Sequence, residues 1–289
     1  MSLPPELLKK VKLIELRTRK LVNNLMAGEY HTAFKGRGMI FSEFREYVPG
    51  DDVRAISWPA TARTGKVHIK KFDEERELTM ILAVDVSGSG DFGSGEMFKG
   101  EVVVYLAAIL GFAAAKNNDQ VGLLLFSDRI EHYVPPKKGR GHIQRLIRDL
   151  LYFKPKSRGT DIATGIDYLQ GVMKKKSSIF IFSDFMDKDF ERPLSRLAKK
   201  HDVVAVVVQD PVEKNIPKMG LVDFHDAESG EIITIDTSNK NFQLEYREHL
   251  RQRELERDNE LRKSQVDKIL VPSSANFIDP LVAFFRRRN

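Results

Sequence analysis

The sequence predicts an α/β protein: a doubly wound, mainly parallel sheet, with an N-terminal helix and extended segment before it and a C-terminal α+β extension after it. Two observations carry this. Between residues 79 and 211, short apolar runs alternate with amphipathic stretches of helix length, the pattern of a sheet covered on both faces. Two of the runs, 79–84 and 179–182, are uncharged and are followed at once by polar residues, Asp85 in one case and Ser183-Asp184 in the other. Polar groups held back until a buried strand ends collect at the carboxyl edge, where open α/β sheets bind their ligands.

Taken in order, the apolar residues Leu7, Leu8, Val11, Leu13, Leu16, Leu21 and Leu25 predict a helix. From Gly36-Arg37-Gly38 to Phe72 the chain reads as glycine-rich and extended. Pro49-Gly50 marks a turn across which Asp51, Asp52, Arg54 and Arg63 are placed to pair. In the middle section, strands are expected at 79–84, 121–126, 130–134, 179–182 and 203–208, with 121–126 paired to 130–134. Helices are expected at 98–116, 143–153, 193–200 and after Thr160, where Ile162, Ile166, Leu169, Val172 and Met173 recur at helical spacing.

Beyond residue 211 the composition changes. Residues 221–224 and 232–235 read as a hairpin around Ser229-Gly230. A highly charged helix at 243–262 keeps only Leu244, Leu250, Leu255 and Leu261 as a sparse apolar stripe, suited to one-sided packing on the core or on a partner. A strand at 270–271 and a helix at 277–285 close the chain, giving three sections: 1–78, 79–211 and 212–289.

The composition narrows the function. Without cysteine among 289 residues, disulfides, thiolate metal sites and cysteine nucleophiles are excluded. The N-terminal stretch carries charges where a signal peptide needs an apolar core, so a cytoplasmic location is expected. The longest uncharged run, 102–115, has 14 residues, the length of a buried helix and too short to span a bilayer. The net charge of +6 raises a nucleic-acid reading, yet the only triple basic runs, 174–176 and 286–288, stand at element ends without interleaved aromatic residues.

The candidate site is Asp85, Ser87, Ser89, Thr160 and Asp184, all at strand or helix ends. One carboxylate and two hydroxyls at alternate positions form a set of hard oxygen donors suited to Mg²⁺ or Mn²⁺. The hydroxyls of Ser87 and Ser89 are expected to face solvent. Each residue also has a plainer reading: Thr160 as an N-cap, the serines as turn residues, Asp184 as the cap of a following helix. Taken together, the ordered set resembles the metal-ion-dependent adhesion site of von Willebrand factor A domains. That resemblance implies Ser87, Ser89 and Thr160 as direct ligands of Mg²⁺ (or Mn²⁺ or Ca²⁺), with Asp85 and Asp184 one water away. An ion so held keeps an open position for a partner protein's carboxylate.

A second resemblance runs along nearly the whole chain. The stretch 36–58, with Phe44-Arg45-Glu46-Tyr47, Pro49-Gly50-Asp51-Asp52 and Trp58, is similar to the signature of the DUF58 family, and so is the closing segment from Asn276-Phe277-Ile278-Asp279-Pro280-Leu281 to Arg288. Ser57 and Pro59 depart from that pattern, which usually has Asp and commonly Arg there. The likeness implies a metal-dependent adaptor associated with a MoxR-type AAA+ ATPase.

Two alternatives come from other classes. A metal-dependent phosphohydrolase with an aspartyl nucleophile needs a second Asp two positions on, where this chain has Ser87. A nucleic-acid-binding protein would lose affinity steeply with salt. The seven histidines, from His31 to His249, form no H-E-x-x-H pattern, and Gly88-Ser89-Gly90 and Gly93-Ser94-Gly95 lack the Lys-Ser/Thr end of a P-loop.

Overall fold

The structure, a computed structural model, describes residues 5–26, 39–74, 78–95, 97–225, 231–273 and 276–288. Gly36-Arg37-Gly38, His31 and Ser229-Gly230, and the side chains of Leu7, Leu8 and Leu25, lie outside what is described. The chain divides into two compact units, Phe34–Leu78 and the combination of Met1–Ala33 with Thr79–Asn289. The N-terminal helix α1 (Pro5–Met26) therefore belongs to the larger unit.

In the smaller unit, β1 (Met39–Glu46) pairs antiparallel with β2 (His68–Glu74), and the register shifts between Phe41 and Glu43. A short helix, α2 (Trp58–Thr64), ends at Gly65, whose φ of 74° is the left-handed conformation glycine adopts most readily. The acidic pair after the Pro49-Gly50 turn is held locally. Asp51 accepts the Val48 N–H at 2.9 Å and pairs with Arg45 at 2.8 Å, while Asp52 pairs with Arg54 at 3.1 Å. Arg45 thus takes the place expected of Arg63. Ser57 is buried and caps α2 without a side-chain hydrogen bond, and its N–H donates to the His68 carbonyl at 2.8 Å.

The larger unit is built on a six-stranded sheet of order β10-β7-β6-β3-β4-β5. Its strands are β3 (Thr79–Asp85), β4 (Gln120–Phe126), β5 (Ile130–Lys137), β6 (Ser178–Ser183), β7 (Asp202–Gln209) and β10 (Asp267–Pro272). All neighbours run parallel except β4 and β5, which form the expected antiparallel pair. Buried on both faces, β3, β4, β6 and β7 need no alternation, which is why they read as continuous apolar runs. Both β4 and β6 flank β3, so chain order reverses there and opens a crevice beyond its carboxyl end.

Helices α3 (Lys99–Lys116), α4 (Arg140–Leu151), α5 (Ile162–Val172), α6 (Glu191–Ala198) and the single turn α7 (Pro211–Lys214) connect the strands. The hairpin β8 (Leu221–His225) and β9 (Ile232–Asp236) has the predicted antiparallel pairing. It leads into α8 (Lys240–Lys263), and α9 (Asp279–Arg288) follows β10. Because β10 hydrogen-bonds to β7, the last section of the chain supplies an edge of the main sheet. Among the described residues no helix is long and apolar enough to cross a membrane.

Two helices bury only part of the apolar stripe read from the sequence, Val11 on α1 and Leu261 on α8, and add polar residues to it. On α1 the buried residues are Val11, Ile14, Glu15, Thr18 and Val22, whereas Leu13 and Leu16 are exposed. The polar members of that face have partners: Thr18 donates to the Glu15 carbonyl at 3.2 Å, and Glu15 accepts Gln144 at 2.9 Å and pairs with Arg140. On α8, Leu244 and Leu255 are exposed, and Gln243, Arg257 and Leu261 are buried. The amide of Gln243 donates to the carbonyls of Ile216 and Thr237, each at 2.9 Å. Paired polar groups can occupy a buried face, and hydrophobic periodicity does not see them.

The basic end of α9 is partly neutralised within the fold. Arg288 donates to both carboxylate oxygens of Asp202, at 2.8 and 2.7 Å, and to Asp267 at 2.8 Å. That pairing removes one of the cations on which a nucleic-acid reading rested.

Candidate functional site

The crevice at the β3/β6 edge is a cleft of about 710 Å³ whose wall includes Asp85, Ser87, Ser89 and Asp184. Asp85 is the last residue of β3, and the ladder continues one step past it through Val86 N–H to the Phe126 carbonyl at 2.8 Å. Its carboxylate accepts the Ser87 N–H at 3.0 Å on one oxygen and the Ser183 hydroxyl at 2.8 Å on the other. Burial pushes the Asp85 carboxyl up to about 6, helped by the charge of Asp184 and opposed by the hydrogen bonds from Ser87 and Ser183.

The Oγ atoms of Ser87 and Ser89 lie 3.3 Å apart. Ser87 is buried, not solvent-facing as expected, because the turn that lets Asp85 accept its N–H folds it back against the end of β3. Thr160 stands in the loop before α5 and is not part of the cleft wall, although Arg158 of the same loop is. The N-cap of α5 is Asp161, whose side chain accepts the Thr164 N–H at 3.0 Å and hydroxyl at 2.8 Å. The capping role considered for Thr160 therefore belongs to its neighbour.

Asp184 follows β6 and caps no helix; it accepts the Met186 N–H at 3.2 Å and faces Lys99 Nζ at 3.4 Å. Lys99, buried at the start of α3, also donates to Glu213 at 2.7 Å. Next to Asp184, Phe185 adopts a φ of 55°, a conformation a bulky residue holds only when its surroundings impose it. It is fully buried and packs edge-on against Phe190 at 5.5 Å. From α8, Arg257 donates to the Asp184 carbonyl at 3.5 Å and Arg253 to the Met186 carbonyl.

Three hydrogen bonds lace the loops together. Ser183 reaches Asp85, Gly88 N–H donates to the Arg158 carbonyl at 3.0 Å, and Ile162 N–H donates to Asp187 at 2.8 Å. All five residues read from the sequence thus lie on three mutually bonded loops at one sheet edge. Ser183, Lys99, Arg253 and Arg257 were not among them. Ser183 had a legible signal, a hydroxyl at the end of a buried run beside Asp184, and Lys99 a weaker one, a cation at the head of an uncharged helix; the two arginines had none.

Among the described residues no three His, Cys, Asp or Glu side chains cluster as metal ligands. An ion in this cleft would have to rely on hydroxyl oxygens, and the donors fit one. Cis ligands of an octahedral Mg²⁺ with bonds of about 2.1 Å stand about 3 Å apart, close to the separation of the two serine oxygens. Charge fits as well: Asp184 and Glu213 share the one Lys99 ammonium, and Asp85 has no cationic partner among the described residues.

Topology and site edge together define a von Willebrand A-like fold. The structure of the conserved hypothetical protein BatB from Bacteroides thetaiotaomicron overlays with a TM-score of 0.50 at 17% identity, over 73% of this chain and 98% of that one. The VWA domain of SpRpn10 overlays more loosely, with a TM-score of 0.41 and 12% identity over 74% of this chain and 95% of its own. The family described as "Protein of unknown function DUF58" matches residues 43–256. The uncharacterized protein Rv1480 of Mycobacterium tuberculosis is 32% identical over 229 residues, 78% of this chain and 72% of the relative. The chain belongs to the DUF58 family.

Proposed function

We propose that this protein is a non-enzymatic, divalent-metal-dependent protein-interaction module. Ser87, Ser89 and Thr160 hold the ion directly, Asp85 and Asp184 hold its waters, and Mg²⁺ is the expected metal, with Mn²⁺ or Ca²⁺ as substitutes. When bound, the ion supplies one electrophilic position for a carboxylate from outside. The observation that carries the reading is a pair of hydroxyl oxygens 3.3 Å apart beside the Asp85 carboxylate, which has no cationic partner among the described residues, at the sheet's switch point. The chain's own residues fix the donors. Ser183 orients Asp85, Lys99 limits how much negative charge Asp184 offers, and the loop bonds hold the hydroxyls together.

The partner we propose is a MoxR-type AAA+ ATPase or its client, met in the cytoplasm; the support is the resemblance of the residue pattern alone. The test is capture of the purified MoxR-type ATPase of the same organism on the immobilised full chain, in Mg²⁺ and in EDTA, with wild type and Asp85→Ala. The expected result is a complex that needs both the ion and Asp85. A complex that survives both EDTA and Asp85→Ala overturns the reading.

A further inference from the structure

The cleft is larger than an ion and one carboxylate require, and part of its wall is apolar. Besides the carboxylates, Phe98, Leu150, Leu151, Phe153 and Pro155 line it. Phe98 immediately precedes α3 and is 52% exposed, beside the buried Lys99 that meets Asp184. The residues from Leu150 to Pro155 leave the C-terminal end of α4, and Leu150, Leu151 and Phe153 are only half-buried. Apolar side chains facing a cleft beside a polar floor are the usual make-up of a ligand pocket, where the polar groups orient and the apolar wall supplies affinity. Here both belong to one continuous cavity.

Two exposed cations, Lys154 and Arg158, line the same cleft, and neither side chain has a carboxylate partner among the described residues. This combination selects an occupant. A free phosphate makes no use of an aliphatic and aromatic wall, and a purely apolar peptide leaves the cations and the polar floor unmatched. We infer that the cleft takes an acidic peptide segment of a partner protein in which the metal-seeking Asp or Glu has a large apolar residue beside it. The acid meets the ion over Ser87 and Ser89. Its neighbour lies against Phe98, Leu151 and Phe153, and further acidic residues face Lys154 and Arg158. This rests on the metal reading and adds the sequence preference of the ligand.

The experiment is fluorescence polarisation with the full chain and two capped, labelled heptapeptides that differ only in carrying Phe-Asp-Phe or Ser-Asp-Ser at the centre, each in Mn²⁺ and in EDTA. Burying one aromatic side chain leads us to expect roughly tenfold or tighter binding of the phenylalanine peptide. The preference should fall towards one in Phe98→Ser, a change at an exposed position, and in Leu151→Ser. Equal, metal-dependent binding of both peptides overturns the inference and leaves the metal reading standing. Binding of the phenylalanine peptide with undiminished affinity in EDTA supports the apolar wall and overturns the metal reading. If neither peptide binds in Mn²⁺, both are overturned.

Discussion

The two loops that bring carboxylates to the cleft are built in opposite ways. The turn of the loop after β3 is shaped by its own residues, while Ser183, Arg158 and Phe126 tie it to its neighbours. Asp85 accepts the N–H of Ser87, Ser87 meets Ser89, and within these five residues every donor lies on a motif visible in the sequence. The loop after β6 is held from elsewhere. Lys99 lies 85 residues before Asp184 and Arg257 73 residues after it, and the left-handed Phe185 packs on Phe190 while Arg257 and Arg253 hold the carbonyls of the residues on either side of it. A short-range loop announces itself by spacing. A loop of borrowed support announces only its carboxylate, and its geometry depends on helices whose function the sequence does not declare.

The largest expected effect tests the first loop's autonomy, through the burial of Asp85. Its carboxyl is raised to about 6 from an ordinary value near 4, so in metal-free protein the folded state keeps a proton that the unfolded state has released. Below pH ~4 both states are protonated and the burial costs nothing. As pH rises from about 4 to about 6 the unfolded state ionises first, and stability falls by about 3 kcal/mol before levelling. Depressed carboxylates such as Asp210 and Asp258 slope the opposite way at lower pH. The quantity to measure is therefore the difference between wild type and Asp85→Asn in EDTA, by urea unfolding at several pH values. That difference should change by about 3 kcal/mol across the window, and a constant difference means that Asp85 is not buried as described.

The second effect breaks the other loop from outside. Arg257→Ala removes a buried guanidinium from the Asp184 carbonyl and from Asp258, which keeps Lys268 at 2.6 Å. The expected cost is about 2 kcal/mol, the worth of charge-assisted hydrogen bonds. Because the loop also aims Asp184, Mn²⁺ affinity by calorimetry should fall roughly tenfold, as it does when outer-shell partners of a metal site are removed. Glu248→Ala, which breaks only the exposed pair with Arg251, is the control on the same helix and should leave stability unchanged. Matching metal affinities in the two variants would show that α8 packs on the loop without positioning it.

The same contrast explains what the sequence disclosed. The fold was legible because its central strands are continuous apolar runs and its linkers have helix periodicity, signals written within a dozen residues. The faces of α1 and α8 were not fully legible, since Glu15, Gln243 and Arg257 enter buried positions by finding polar partners elsewhere in the chain, and Thr18 by donating back to its own helix. In the site, Asp85, Ser87, Ser89 and Asp184 stood out as polar residues at the ends of apolar runs. Lys99 gave only the weak signal of a cation at the head of an uncharged helix, and the arginines of α8 gave none, because a cation in a charged helix looks the same whether it faces water or a carbonyl 73 residues away in the chain.

The smallest expected change in stability accompanies the sharpest test of the first loop. In Ser87→Ala/Ser89→Ala both hydroxyls of the 3.3 Å pair disappear together, so neither is left unpaired, and the fold should change by less than about 1 kcal/mol. The Ser87 N–H still reaches Asp85, so the turn itself remains. Mn²⁺ affinity should nonetheless drop by tenfold or more, since two of the proposed direct ligands are gone and the remaining carboxylates stand one water away. Thr160→Ala belongs beside it, because Thr160 lies on a bonded loop but outside the cleft wall. An equal loss there places the third ligand where the resemblance implies, with the 158–160 loop closing on the ion. Full affinity in Thr160→Ala together with loss in the double serine variant confines the direct ligands to the loop after β3. Full affinity in both removes the hydroxyls from the site altogether.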